Sequence, residues 1–194
     1  MGTATDGEPS IVGWTPGFAL SPNGLRIAIF DDSTGRLTVL NAASMSVLRT
    51  EHIARAISTF ERVATLLGLA PTPALAKEYR GASVEMRYSP DARLLYVTGN
   101  EYLPGVESQP HSIGIRAIDI ATHQLIGESL NRQALWWMQP DPDGSAVYTV
   151  SPMGADAQIC PCVLRRHDPT TLRVLAKTYI MRYANPQFFV LRTP

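Results

Sequence analysis

The chain has 194 residues, 45% of them hydrophobic and 18% charged, enough apolar material for one good-sized domain and too much for a disordered chain. The 17 Lys and Arg residues balance 17 Asp and Glu residues, so no global field draws nucleic acid or an anionic membrane, and neither partner is expected. No apolar run reaches the ~18 residues that span a bilayer; Met1–Ser10 lacks the basic start and apolar centre of a signal peptide, which leaves the compartment unassigned.

The first predicted unit covers roughly residues 11–50. It contains a short apolar run, the turn Ser21-Pro22-Asn23-Gly24, a strand-like run Leu25 to Phe30, and a further run from Leu37 that breaks at Asn41, with Ser44 three residues on. Pro presets φ and Gly accepts positive φ, which makes the first break a hairpin turn. An Asx side chain followed by Ser or Thr suits the second, because it caps the turn's own backbone.

Residues 51–82 read as an inserted amphipathic helix. Ile53, Ile57, Phe60, Ala64 and Leu67 recur at steps of four and three, Arg55, Glu61, Arg62 and Thr65 fall elsewhere, and Gly68 and Pro71 stop the pattern. Its apolar stripe is expected to pack on the rest of the chain rather than to await a partner.

The same plan then returns. In the second unit, about residues 83–131, Met86-Arg-Tyr-Ser-Pro-Asp-Ala92 leads into Leu94 to Thr98, and the later turn carries Asp119 and Thr122. In the third, about residues 134–180, Met138-Gln-Pro-Asp-Pro-Asp-Gly144 leads into Ala146 to Val150, and the later turn carries Asp168 and Thr171. Cys160 and Cys162 sit in Cys-Pro-Cys; if both are on one strand, the ~6.5 Å between their Cα atoms predicts free thiols rather than a mutual disulfide. Asn185 to Pro194 repeats a first strand, and Pro194 follows Pro142 at the spacing that separates Pro142 from Pro90.

Four short strands in two hairpins, repeated at roughly 40 to 50 residues, are the plan of a β-propeller blade. The Ser-Pro-Asp turn, Tyr96-Val-Thr-Gly99 and the Asp-x-x-Thr turns resemble those of bacterial YVTN and WD40-like propellers. The expected fold is therefore all-β: a partial propeller of about three four-stranded antiparallel blades, the start of a fourth at residues 185–194, and one inserted helix. The remaining blades would come in cis or by oligomerisation. The alternative is a small stack in which the last strand pairs back with Ile11 to Trp14.

Consecutive antiparallel strands turn at alternate ends, so the second-to-third and fourth-to-first connections share one end. That end receives the insertion and the longer connections at residues 99–112 and 151–161, while the other carries only tight turns. Long connections on a rigid scaffold concentrate binding groups. The ligand-binding candidates are Asn100, Glu101, Tyr102, His111 and Asp156 from the connections, with Glu85, Arg87 and Trp136 from innermost strands, where one of Trp136 and Trp137 should face the channel. Glu107, Met153 and the two cysteines belong to the same connections. No nucleophile, zinc or nucleotide motif occurs, and the four histidines are scattered, so no cofactor, metal or catalytic set is expected.

The expected function is a non-catalytic scaffold that binds a protein or small ligand through the elaborated end. The resemblance implies an alternative, part of a lactonase-like or quinoprotein-dehydrogenase-like propeller enzyme with its site at the central channel. Its mark would be His, Glu or Arg converging on the innermost strands of all blades.

Overall fold

A computed structural model describes residues 17–31, 35–53, 84–101, 111–131, 133–152 and 162–180. They form twelve strands in three sheets of four. The first sheet holds β1 (Gly17–Leu20), β2 (Arg26–Asp31), β3 (Arg36–Asn41) and β4 (Val47–His52). The second holds β5 (Glu85–Tyr88), β6 (Leu94–Glu101), β7 (His111–Asp119) and β8 (Gln124–Ser129). The third holds β9 (Trp137–Pro140), β10 (Val147–Pro152), β11 (Cys162–His167) and β12 (Val174–Ile180). Every pairing is antiparallel between neighbours in sequence.

The sheets meet through their first strands, β1 beside β5 and β5 beside β9. These are the innermost strands, and the last strands β4, β8 and β12 are largely exposed. Period-2 alternation gives each strand one face toward the preceding sheet and one toward the following sheet. Ala19, Ala28, Phe30, Leu37 and Val39 of the first sheet pack against Met86, Tyr88, Leu95, Val97 and Ile118 of the second. Tyr96, Ile115 and Ala117, on the opposite face of the second sheet, pack against Met138, Val147 and Leu172 of the third. Burial of such side chains, at ~25 cal/mol per Å² of apolar surface, is what holds sheet to sheet.

The turns repeat at atomic detail. After each first strand a backbone N–H reaches back three residues: Gly24 to Ser21 O, Ala92 to Ser89 O and Gly144 to Asp141 O, at 2.8, 2.9 and 2.9 Å. All three donors have positive φ, 70°, 58° and 76°. After each third strand, Oδ1 of Asn41, Asp119 or Asp168 accepts the N–H groups two and three residues on. The residue four on, Met45, His123 or Leu172, then adopts positive φ, and a bulge adjusts the register just before each of these turns. Both sets lie at one end of the sheets: Ala42 N–H donates to Leu25 O, Ile120 N–H to Arg93 O, and the Tyr96 hydroxyl to Pro169 O.

Two expectations change. The described residues contain no helix, and most of the expected one, residues 54–82, lies outside them. Glu51 and His52, assigned to its start, are instead the end of β4, and Ile53 N–H donates to Gly35 O at 2.8 Å, which carries extended backbone past residue 50. Cys162 is disulfide-bonded and no free cysteine is present among the described residues, against the expected thiols. That expectation rested on strand spacing between the two cysteines; β11 begins at Cys162, and Cys160 lies outside the described residues. The expected strands at residues 11–14 and 185–194 lie outside the described residues.

Candidate functional site

Strand β5 runs toward its tight turn at Ser89, which leaves Glu85 at the opposite, elaborated end, paired in register with Thr98. Residues two apart share a strand face, so Arg87 lies on the same side as Glu85. Its guanidinium donates to Glu85 Oε1 at 3.0 Å, with the Arg87 side chain half-exposed and the Glu85 side chain 27% exposed. Burial pushes the Glu85 carboxyl upward, opposed by the Arg87 charge and hydrogen bond and by a hydrogen bond from the Met138 backbone. Glu85 thus ties the innermost strands of the second and third sheets together while keeping an edge in solvent.

The seam between these sheets also carries polar groups. Ser151 Oγ accepts from Gln133 Nε2 at 3.0 Å and from the Arg165 guanidinium at 2.6 Å, and the Ser112 hydroxyl donates to Gln133 O at 2.7 Å. Residues 133–135 precede β9, and Trp136 N–H donates to Val150 O at 2.8 Å. Trp136 is 36% exposed. Trp137 turns the other way, as alternation requires, and packs beside Val150, Cys162, Leu164 and Ile180 on the far face of the third sheet.

The expected site residues are only partly brought together. Glu85 and Arg87 form one ion pair, and Trp136 sits at the start of the neighbouring sheet. Asn100, Glu101 and His111, expected in a loop, belong to strands: Asn100 pairs with Ser112 and Glu101 with His111. The hairpin is longer than the run Leu94 to Thr98 indicated, because a bulge between Gly99 and Asn100 resets the register and lets pairing continue. Likewise β10 continues to Pro152, past the expected start of its connection at residue 151. Tyr102, Glu107, Met153 and Asp156 lie outside the described residues.

Gln133, Ser112, Ser151 and Arg165 were missed. They are single polar residues at strand ends, and only the three-dimensional seam joins them, so no local motif could have signalled the group. Among the described residues no three His, Cys, Asp or Glu side chains cluster as metal ligands do, and no helix is long and apolar enough to cross a membrane.

No family model matches the chain, and no curated protein is similar to it. Among solved structures it is similar to one titled "Structure of U3-55K", with a TM-score of 0.50 and 11% identity over 87% of this chain and 40% of that one. It is also similar to one titled "Structure of Dos1 propeller", with a TM-score of 0.50 and 9% identity over 87% of this chain and 37% of that one. The sheets are β-propeller blades. At these identities the likeness speaks for fold alone, and the chain spans well under half the length of the propellers it matches. Neither the YVTN nor the WD40-like repeat type follows from it.

Proposed function

We propose that these blades are a scaffold that binds a protein or small ligand through the end carrying the longer connections. The observation that carries this reading is the Glu85–Arg87 pair, a charged couple on an innermost strand, partly open to solvent at that end. The opposite end offers less, because its Asx and hydroxyl groups are spent on their own turns. A scaffold of this kind is indifferent to chemistry, so the site and not the fold must define the ligand.

Binding is favoured over catalysis by the neighbours of β5. Strand β1 reads Gly-Phe-Ala-Leu and β9 reads Trp-Met-Gln-Pro. Neither contains an ionisable side chain to converge with Glu85 and Arg87, as an enzyme at the channel would need.

The test is a thermal-shift screen of the chain against a panel of organic acids, amines and short charged peptides, followed by titration of any compound that stabilises it. Arg87→Ala and Trp136→Ala are expected to weaken such a compound at least about tenfold, the loss of ~1.4 kcal/mol from one charged or aromatic contact. Asn23→Ala and Asn41→Ala, at the tight-turn end, should leave its affinity unchanged. Equal losses from both pairs of variants would reject the assignment of the binding end.

A further inference from the structure

The three turns that follow the first strands share one backbone and differ in chemistry. Their tips read Pro22-Asn23-Gly24, Pro90-Asp91-Ala92 and Pro142-Asp143-Gly144. In the first, Asn23 Oδ1 accepts from the Ser21 hydroxyl at 2.8 Å and from Leu25 N–H at 3.1 Å. In the second, Asp91 Oδ1 accepts from the Ser89 hydroxyl at 2.6 Å and from Arg93 N–H at 3.1 Å. The third keeps the bond from two residues on, Ser145 N–H to Asp143 Oδ1 at 2.7 Å. The fold thus accepts a carboxylate where Asn23 carries an amide.

Only the first turn joins an amide to a following glycine, and that pair has a reaction open to it. A backbone nitrogen that has lost its proton can attack the side-chain carbonyl carbon one residue back and close a cyclic imide, unless a Cβ on the attacking residue crowds the approach. Gly24 has no Cβ, and one built there would meet nothing within 4 Å, so its nitrogen stands in open space. Asn23 and Gly24 are both exposed. The two donors on Asn23 Oδ1 sit where negative charge develops as the carbonyl is attacked, at distances that stabilise an oxyanion. One contact opposes the reaction, the bond from Gly24 N–H to Ser21 O at 2.8 Å. An exposed hydrogen bond of this kind favours the closed turn by at most about tenfold, so the nitrogen is free part of the time. Neighbouring positions each lack an element. Ala92 and Ala42 carry a Cβ, and Ala42 N–H is also held by Leu25 O. Asp143 precedes a glycine, but the Ser145 backbone N–H holds its carboxyl below the usual range, and an ionised carboxylate resists a nucleophile. Asn100, Asn131 and Asn185 precede Glu101, Arg132 and Pro186.

We infer that Asn23 is a self-modification site, at which the chain converts its own amide to a carboxylate. Hydroxide or a buffer base removes the Gly24 N–H proton, and the nitrogen's electron pair forms a bond to Asn23 Cγ. The Cγ–Nδ2 bond breaks, the leaving nitrogen takes a proton from water, and ammonia departs. Water then adds to one of the two imide carbonyls and breaks one C–N bond, with no change of oxidation state. Opening at the side-chain carbonyl gives aspartate, the residue that the other two turns already hold. Opening at the main-chain carbonyl gives isoaspartate, whose lengthened main chain cannot keep both the Gly24 N–H on Ser21 O and the two bonds to Oδ1. Either product takes the balance of 17 cationic and 17 anionic side chains to one excess negative charge. The site lies at the tight-turn end of the sheets and is independent of the ligand-binding reading.

The test is incubation of the folded 194-residue chain at mildly alkaline pH, followed by ion exchange and tandem mass spectrometry of its peptides. A more acidic species is expected, with a mass gain equal to water less ammonia, placed at Asn23 ahead of every other asparagine. Its peptide should split into two isomers, one coeluting with the peptide of the Asn23→Asp variant. Gly24→Ala is expected to slow the conversion at least about tenfold. That variant has a folded precedent in Ala92, which holds the same position at φ 58°, and far-UV circular dichroism checks it. The urea midpoint of Asn23→Asp should match the parent, and that of the isoaspartyl form should be lower. An Asn23 that survives in the folded chain while it converts in the urea-unfolded chain overturns the inference, because the closed turn would then be a protection. So does an unchanged rate in folded Gly24→Ala, because the Gly24 nitrogen would then not be the attacking group.

Discussion

At the scale of single residues, the buried polar groups have the sharpest consequences. His167 is fully buried; its Nδ1 lies 2.9 Å from Leu172 O and its Nε2 lies 2.8 Å from the Thr149 hydroxyl. A carbonyl can only accept, so Nδ1 carries the proton and Nε2 accepts from Thr149. Burial pulls the His167 pKa below its ordinary value, with the Leu172 carbonyl opposing and the Arg165 charge adding to the fall. His123 is lowered as well, chiefly by burial. Below about pH 6.5 the unfolded chain therefore takes up protons that the folded chain refuses. Stability is complete above that pH and is lost as pH falls toward the lowered folded values. The urea midpoint is expected to drop between pH 7.5 and 5, and His167→Gln should flatten the drop while lowering the midpoint at neutral pH. A midpoint independent of pH over that range would contradict the neutral, buried assignment. A second loss, at lower pH, belongs to Asp119 and Asp168, whose carboxyls are held below the usual range first by the backbone N–H of Thr122 and Thr171.

At the scale of the element, the turn after each first strand shows a sequence departing from its own rule. Gly24 and Gly144 take positive φ at no steric cost, whereas the second sheet places Ala92 there at φ 58°. A Cβ in this conformation costs roughly 1–2 kcal/mol, partly offset by the smaller backbone entropy of an unfolded alanine. Ala92→Gly is expected to stabilise the chain by about 0.5–1 kcal/mol, measured as a rise in the chemical-denaturation midpoint with unchanged slope. A fall would mean that the side chain contributes packing that outweighs the strain. The second hairpins follow their rule throughout, which is why Asn41, Asp119 and Asp168 could be read as turn residues before any coordinates. The strand ends were less legible. The bulge beyond Gly99 has no local signature, and it moved Asn100, Glu101 and His111 from an expected loop into paired strands.

At the scale of the whole molecule, stability rests on how closely successive sheets approach. Gly127, on the outer strand β8, lies against the second-hairpin turn of the third sheet. A Cβ built there would sit 2.3 Å from Thr170 O, a backbone atom that cannot swing aside. Gly127→Ala therefore forces the second and third sheets apart and should cost about 1–3 kcal/mol, the range for overpacking a tight contact. Nothing in the sequence around Gly127 marks it, since it occurs mid-strand and its neighbour is some forty residues away. The same change in a molecule whose sheets were independent would be nearly neutral, so its thermal shift reports directly on the seam. The polar seam of Gln133, Ser112, Ser151 and Arg165 was illegible for the same reason, being assembled from four separate segments.

The sequence by itself determined the four-stranded unit, its number among the described residues, and the turn that closes each hairpin, because those depend on period-2 hydrophobicity and on φ preferences that act within a few residues. Ser21-Pro-Asn-Gly24 and its two repeats carried that information. Only the tertiary structure decided which apolar faces are covered. Phe18, Met86 and Met138 are apolar residues at the same place in the repeat, and among the described residues a preceding sheet packs against only the latter two. Burial is a property of neighbours brought from far along the chain, and so is the Glu85–Met138 tie at the candidate site, which no local pattern can encode.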